Sequence, residues 1–263
     1  MFDYGKKTYI MGILNVTPDS FSDGGNFTNI QNAIEHAKKM IKEGADIIDL
    51  GGESTRPGHN KVEVDEELER VIPVVKSLKK EVDTFISIDT YKSEVANACL
   101  ELGVEMINDI WGLQKDENMA SVVAKYDAYI CIMHNQDSTV YKKDIIDSIK
   151  EFLCDSIKIA KEAGIKENKI ILDPGIGFGK TFEQNLEVMA RLSELKELGY
   201  PILLGTSRKS MIGNILNVES KDRVEGTIAT TVLGIKDGVD IVRVHDVLEN
   251  SRAAKVADAI YRR

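Results

Sequence analysis

The stretch IILDPG, residues 170–175, runs three branched apolar residues into a carboxylate, a proline and a glycine. Its apolar part is short and unbroken, as in a strand covered on both faces of a parallel sheet. Asp is a poor strand former, and a carboxylate at the end of such a run is desolvated and needs partners. The same device recurs in FISIDT (85–90) and EMINDIWG (105–112), where Asp89 and Asn108 interrupt apolar runs. Further strand-like runs lie at YIMGILNV (9–16), DIIDLGG (46–52), YICIMHN (129–135), PILLGTS (201–207) and IVRVHD (241–246). Helix-period segments separate them. In residues 29–44, for example, Ile30, Ala33, Ile34, Ala37 and Ile41 share one face, and residues 64–82, 182–199 and 247–263 repeat the pattern. Glycines at 44, 103, 164, 199 and 238 stand where such helices stop.

Eight strands alternating with eight crossovers make an α/β chain, either an open doubly wound sheet or a closed (β/α)8 TIM barrel. Periodicity leaves both open. Polar residues follow nearly every strand instead of clustering at one switch point, which favours the barrel. No linker or composition break divides residues 1–263, so a single barrel domain is expected.

The charge balance, 34 basic against 43 acidic residues, argues against nucleic acid and anionic membrane surfaces as partners. An anionic substrate would need positive charge gathered locally. Three cysteines without CxxC spacing read as free thiols. With no signal-like start and no apolar run of bilayer length, a cytoplasmic protein is expected.

The residues at the strand ends are Asn15, Glu53, Asp89, Asn108, His134, Asp173, Lys209, Arg243 and His245. Three neighbouring acceptors suit a ligand with a guanidine-like edge, such as a 2-amino-4-oxo pteridine or a guanine. Asp173 is the candidate for bidentate pairing, with Asn108 beside it and Lys209 donating to the ring's oxygen and N5. A second group is basic. Arg243 and His245 fall on one side of a strand, and GGESTRPG (51–58) adds Ser54, Thr55 and Arg56, together suiting phosphate or pyrophosphate. DPGIGFGKT (173–181) is one residue short of a nucleotide P-loop. His36, His59 and His134 show no metal-ligand spacing. GILNVTPDSFSDGG (12–25) puts Asn15, Asp19 and Asp23 in a loop rich in turn residues.

These segments, with INDIWG, MHN, GTSRKSMIG and IVRVHDV, resemble in order and spacing the successive signatures of the dihydropteroate synthase family, from about residue 9 to 247. Asn135 departs from the family's more usual Met. The resemblance implies a barrel that condenses 6-hydroxymethyl-7,8-dihydropterin pyrophosphate with p-aminobenzoate, as a homodimer. It implies a pterin pocket of Asp89, Asn108, Asp173 and Lys209, with Met133 and Phe178 beside the ring. Asn15 would help hold Mg2+ on the pyrophosphate, whose oxygens Arg243 and His245 would bind. Loops carrying Asp23 and Thr55-Arg56-Pro57 would close beside Ser210 to form the p-aminobenzoate site. Asp23, Lys209, Arg243 and His245 are expected to carry the chemistry, an SN1-like departure of pyrophosphate with Asp23 facing the developing cation; Asp19 is expected to stabilise its turn. Two other readings are a methyltetrahydrofolate methyltransferase-like enzyme, which has no use for STRPG, SRKS or RVH, and a pterin-binding paralogue without activity.

Overall fold

The structure is a computed structural model that describes residues 2–16, 26–53 and 62–262. Its strands are β1 (Tyr9–Asn15), β2 (Ile47–Gly51), β3 (Phe85–Asp89), β4 (Met106–Asp109), β5 (Tyr129–Met133), β6 (Ile170–Asp173), β7 (Leu203–Leu204) and β8 (Ile241–Val244). The helices are α1 (Asn26–Glu43), α2 (Val64–Glu81), α3 (Ser93–Glu101), α4 (Met119–Lys125), α5 (Ile145–Glu162), α6 (Phe182–Ala190), α7 (Ser210–Leu216), α8 (Val224–Lys236) and α9 (Val247–Tyr261). All the strands pair in parallel, in the order β6-β5-β4-β3-β2-β1-β8-β7. A parallel bridge from Leu172 to Ile202 joins the two edges, and the Leu172 N–H donates to the Pro201 carbonyl at 2.9 Å. The sheet is a nearly closed barrel, as the sequence leads one to expect.

Three details differ from the sequence pattern. The strand expected over 201–207 shrinks to two residues, since Pro201 brings no N–H to the ladder. The helix expected over 182–199 ends at Ala190, and a 3-10 segment covers Leu192–Leu198. Leu192, Leu195 and Leu198 are three apart, the period of a 3-10 turn, and the first two are fully buried. The crossover from β7 to β8 also carries two helices, α7 and α8.

Period two along each strand builds the interior in layers. Phe2 plugs the N-terminal end, its ring centroid 4.8 Å from that of Tyr9 and 4.9 Å from that of Phe85. Above it Met11, Ile47, Met106, Cys131, Ile171, Leu203 and Ile241 form a fully buried apolar layer. Two residues further on, the inward positions are Ile13, Asp49, Ser87, Asn108, Met133, Asp173, Gly205 and Arg243. The barrel thus changes from apolar to charged within one layer, towards its C-terminal end. Outward-facing Leu14, Ile48, Ile88 and Ile107 pack in the main core with the helices. Among the described residues no helix is long and apolar enough to cross a membrane.

Candidate active site

A cavity of about 290 Å3 opens at the charged end of the barrel. Asn15, Asp89, Asn108, Asp173, Lys209 and Arg243 line it, and Met133, Phe178, Ser210 and His245 add to its wall. Arg243 spans the middle. Its Nε donates to Asp49 Oδ2 and its Nη2 to Asp89 Oδ2, each at 2.6 Å. Asp49 Oδ2 also accepts from Asn108 Nδ2 at 3.2 Å. Burial alone would lower the Arg243 pKa, but Asp49 and Asp89 reverse this and raise it. Burial pushes the Asp89 carboxyl up, against the pull of Arg243. One guanidinium therefore serves two carboxylates, whose Oδ1 atoms are buried and have no hydrogen-bond partner among the described residues. Such acceptors await donors.

Asp173 is buried opposite, and its Oδ1 accepts from the Gly175 N–H at 2.7 Å. Burial raises its pKa to about 6, while the Gly175 N–H, Lys209 and Lys180 oppose the rise. The Lys209 ammonium lies 4.1 Å from the Phe178 ring centroid, within cation–π range. Gly177 gives this side chain room, for a Cβ there would stand 3.2 Å from Lys209 Cδ.

Lys180 holds the turn between them. Its ammonium lies 2.9 Å from His134 Nδ1 and donates to the carbonyls of Gly175 at 2.9 Å and Phe178 at 3.0 Å. Burial lowers the Lys180 pKa to about 7; burial, then Lys180, lowers that of His134 to about 3. His134 is thus neutral near pH 7, and a Lys180 ammonium, which can only donate, gives a hydrogen bond to Nδ1. At the far end of the turn, Thr181 and Gln184 cap α6 reciprocally, and Asn185 Oδ1 accepts from the Gly177 N–H at 2.6 Å. Gly175 itself has φ +69°, and a Cβ there would stand 1.9 Å from the His134 carbonyl oxygen. Gly175→Ala is expected to cost more than about 3 kcal/mol, from strain plus the clash. Urea unfolding checks this; a change below about 1 kcal/mol would contradict it.

Two strand-end residues turn away from the cavity. His134 faces Lys180. Glu53 pairs with Lys92 at 2.5 Å, and Lys92 also pairs with Glu67, a buried triad that ties the end of β2 to α2. Glu53 lines a wider adjoining groove of about 1630 Å3 instead. His245 is anchored by Ser207, whose Oγ lies 2.9 Å from Nδ1. Asp19, Asp23, Ser54, Thr55, Arg56 and Pro57 lie outside the described residues.

Sequence reasoning passed over Asp49, Lys180, Ser207, Arg208 and Arg223. The last three line the cavity, Ser207 against His245, Arg208 at φ 57° with its guanidinium on Asp246, and Arg223 donating to the Arg208 carbonyl at 2.9 Å. Asp49 had a signal: it is an acid inside an apolar strand, in phase with Gly51 at the rim.

The arrangement resembles known proteins over nearly the whole chain. Residues 11–245 match the pterin binding enzyme family. A dihydropteroate synthase of Clostridium beijerinckii is 61% identical over 266 residues, covering 100% of this chain and 97% of that protein. That of Bacillus subtilis is 53% identical, covering 98% and 90%. Among solved structures, a dihydropteroate synthase from Clostridium difficile, in the presence of pteroic acid, is 71% identical with a TM-score of 0.99 and full coverage of both chains. The Yersinia pestis enzyme in complex with a sulfonamide drug is 43% identical, with a TM-score of 0.91 and coverage of 97% and 95%.

Proposed function

As the chain belongs to the pterin-binding enzyme family, we infer that it works as a dihydropteroate synthase, condensing 6-hydroxymethyl-7,8-dihydropterin pyrophosphate with p-aminobenzoate. The observation that carries this reading is the division of one cavity into an acceptor side, Asp89, Asn108 and Asp173, and a cationic side, Lys209 and Arg243 with His245. The acceptor side suits the amino and ring N–H groups of a pterin. Asp173 takes them in bidentate fashion, Asn108 and Asp89 meet neighbouring ring atoms, and Lys209 donates to the 4-oxo group and N5. Met133 and Phe178 flank the ring. The Arg243 Nε and Nη2 are committed to carboxylates, which leaves Nη1, with His245, for pyrophosphate oxygens.

The donor set fits Mg2+ carried by the substrate. Among the described residues no group of three or more His, Cys, Asp or Glu side chains could hold a metal. Asn15 Oδ1 is a neutral, hard oxygen at the cavity, 3.5 Å from where a Cβ on Gly51 would stand. Mg2+ keeps waters and substrate phosphates as its main ligands, and one such protein oxygen suffices to place it. When bound, it neutralises charge on the leaving group.

The bond between the exocyclic CH2 and the pyrophosphate oxygen breaks, and both electrons leave with pyrophosphate. Arg243 and His245 stabilise that anion, while the electron-rich dihydropterin carries the positive charge left at carbon. The neutral arylamine nitrogen attacks and then loses a proton to solvent, so no strong base is needed. Asp23 faces the cation, and Thr55, Arg56 and Pro57 with Ser210 hold p-aminobenzoate. These assignments rest on the family resemblance; Asn15 and Gly51, paired at the ends of β1 and β2, precede the two segments in the chain. Three free cysteines, one of them exposed, suit a reducing cytoplasm.

A homodimer is supported by apolar side chains on neighbouring helices: Ile215 and Leu216 on α7, Leu233 on α8 and Val256 on α9 are between 45% and 63% exposed. Sedimentation is expected to give twice the chain mass of 29.2 kDa, and Leu233→Lys to weaken the dimer. A monomer at micromolar concentration would contradict this.

The reaction is tested by product identity. Chromatography should show dihydropteroate appearing one for one with consumed p-aminobenzoate, stimulated by Mg2+. A sulfonamide should raise the apparent KM for p-aminobenzoate without lowering kcat. Failure to form dihydropteroate would overturn the reading; purely non-competitive inhibition would move the aminobenzoate site.

A further inference from the structure

We propose that Asp49 is a positioning residue that fixes which end of the Asn108 amide faces the ligand, and thereby sets a preference for a 2-amino over a 2-oxo ring. Asp49 lies in β2, wholly buried, one layer beneath the rim. One of its oxygens, Oδ2, accepts from both Arg243 Nε and Asn108 Nδ2, at 2.6 and 3.2 Å. A carboxylate paired with a guanidinium only accepts hydrogen bonds. Asn108 must therefore give Asp49 its amide nitrogen, and its carbonyl oxygen is the end left to the cavity that the residue lines. The opposite rotamer would press carbonyl oxygen against carboxylate oxygen with no proton between them, inside a region of low dielectric.

The Asn108 rotation is thus decided from a residue that does not line the cavity. Asp49, Arg243 and Asp89 form a bar across β2, β8 and β3, and Asn108 on β4 hangs from one end of it. An amino group on the ligand meets a ready acceptor in the Asn108 oxygen; an oxo group in the same place meets a second acceptor. The inference rests on the reading that Asn108 and Asp173 hold the amino-bearing edge of the ring. Asp173 discriminates in the same sense from β6, so Asp49 governs one share of the preference and not the whole.

Replacing Asp49 by Asn keeps the shape but supplies an amide that can donate as well as accept, which frees Asn108 to rotate. Calorimetry would compare 6-hydroxymethylpterin with its 2-oxo counterpart, 6-hydroxymethyllumazine. The wild-type protein should prefer the pterin by about 1,000-fold or more, because a site built for hydrogen bonds rejects an analogue lacking them. In D49N that ratio should fall at least about tenfold, chiefly because the 2-oxo ring is tolerated. D49S, too short to steer the amide, should do the same, and melting curves show which variants are folded. An equal loss of affinity for both rings in the folded variants, leaving the ratio unchanged, would overturn the proposal and make Asp49 merely structural. A wild-type protein without preference would instead overturn the underlying placement of the ring.

Discussion

Asp173→Asn is expected to lower kcat/KM for dihydropterin pyrophosphate by about 1,000-fold or more, with most of the loss in affinity. The Asp173 carboxyl is buried, and its Oδ1 is engaged by the Gly175 N–H. Its Oδ2 lies 3.8 Å from where a Cβ on Gly205 would stand, so the missing side chain keeps that oxygen clear. In the Asn variant the carbonyl oxygen keeps Gly175, and an NH2 group then faces the ligand's own N–H and NH2. Donors would oppose donors in a dry site, the costly case. The pH dependence supplies a second readout. Burial holds the Asp173 pKa at about 6, and only the ionised form accepts on both oxygens. The wild-type kcat/KM should therefore fall as pH drops below about 6, and in D173N that fall should be shallower, with only the Asp89 carboxyl left to titrate on the acceptor side. A loss under about tenfold, with the acid fall unchanged, would place the amino edge elsewhere.

Arg243→Met should have the largest effect on stability. The guanidinium is the shared partner of Asp49 and Asp89, and removing one member of a buried ion network leaves uncompensated charge at a cost of about 3–5 kcal/mol. The loss should depend on pH. Without Arg243, the main opposition to the rise that burial gives the Asp89 carboxyl is lost, and only the smaller pull of Lys209 remains. A carboxyl whose pKa is raised by folding binds its proton more tightly folded than unfolded. Its destabilising effect is thus absent below the unfolded value and grows as pH rises towards the folded one. Urea unfolding should find R243M nearest to wild type at about pH 5 and furthest from it at about pH 8. A pH-independent difference would mean that the two carboxylates do not depend on Arg243.

Much of this was legible in the sequence because the barrel writes its layers in steps of two. Asp89, Asn108, Asp173 and Arg243 each stand where an apolar strand turns polar, and all line one cavity. Asp49 escaped because it sits one step beneath the rim, where an acid in DIIDLGG looks like part of a strand. Arg243 reads from its position as an anion ligand, and its ion pairs with Asp49 and Asp89 come from strands far away in sequence; its three nitrogens leave room for both. Glu53 and His134 read as site residues on position alone, but each has a nearby lysine, Lys92 or Lys180, that sequence spacing does not reveal. Lys180 sits in GFGKT, where the lysine suggests phosphate; its length of chain instead folds back to hold the carbonyls of its own turn. The 3-10 segment was written in leucines three apart, a spacing that also fits one face of an α-helix.

The most direct measurement is pyrophosphate release from dihydropterin pyrophosphate with Mg2+, followed with and without p-aminobenzoate. A barrel mouth that grips the pterin edge and neutralises its leaving group should release pyrophosphate in step with dihydropteroate whenever the amine is present. Tight pterin binding with no release under either condition would contradict that account and leave a protein that holds the pterin without reacting it.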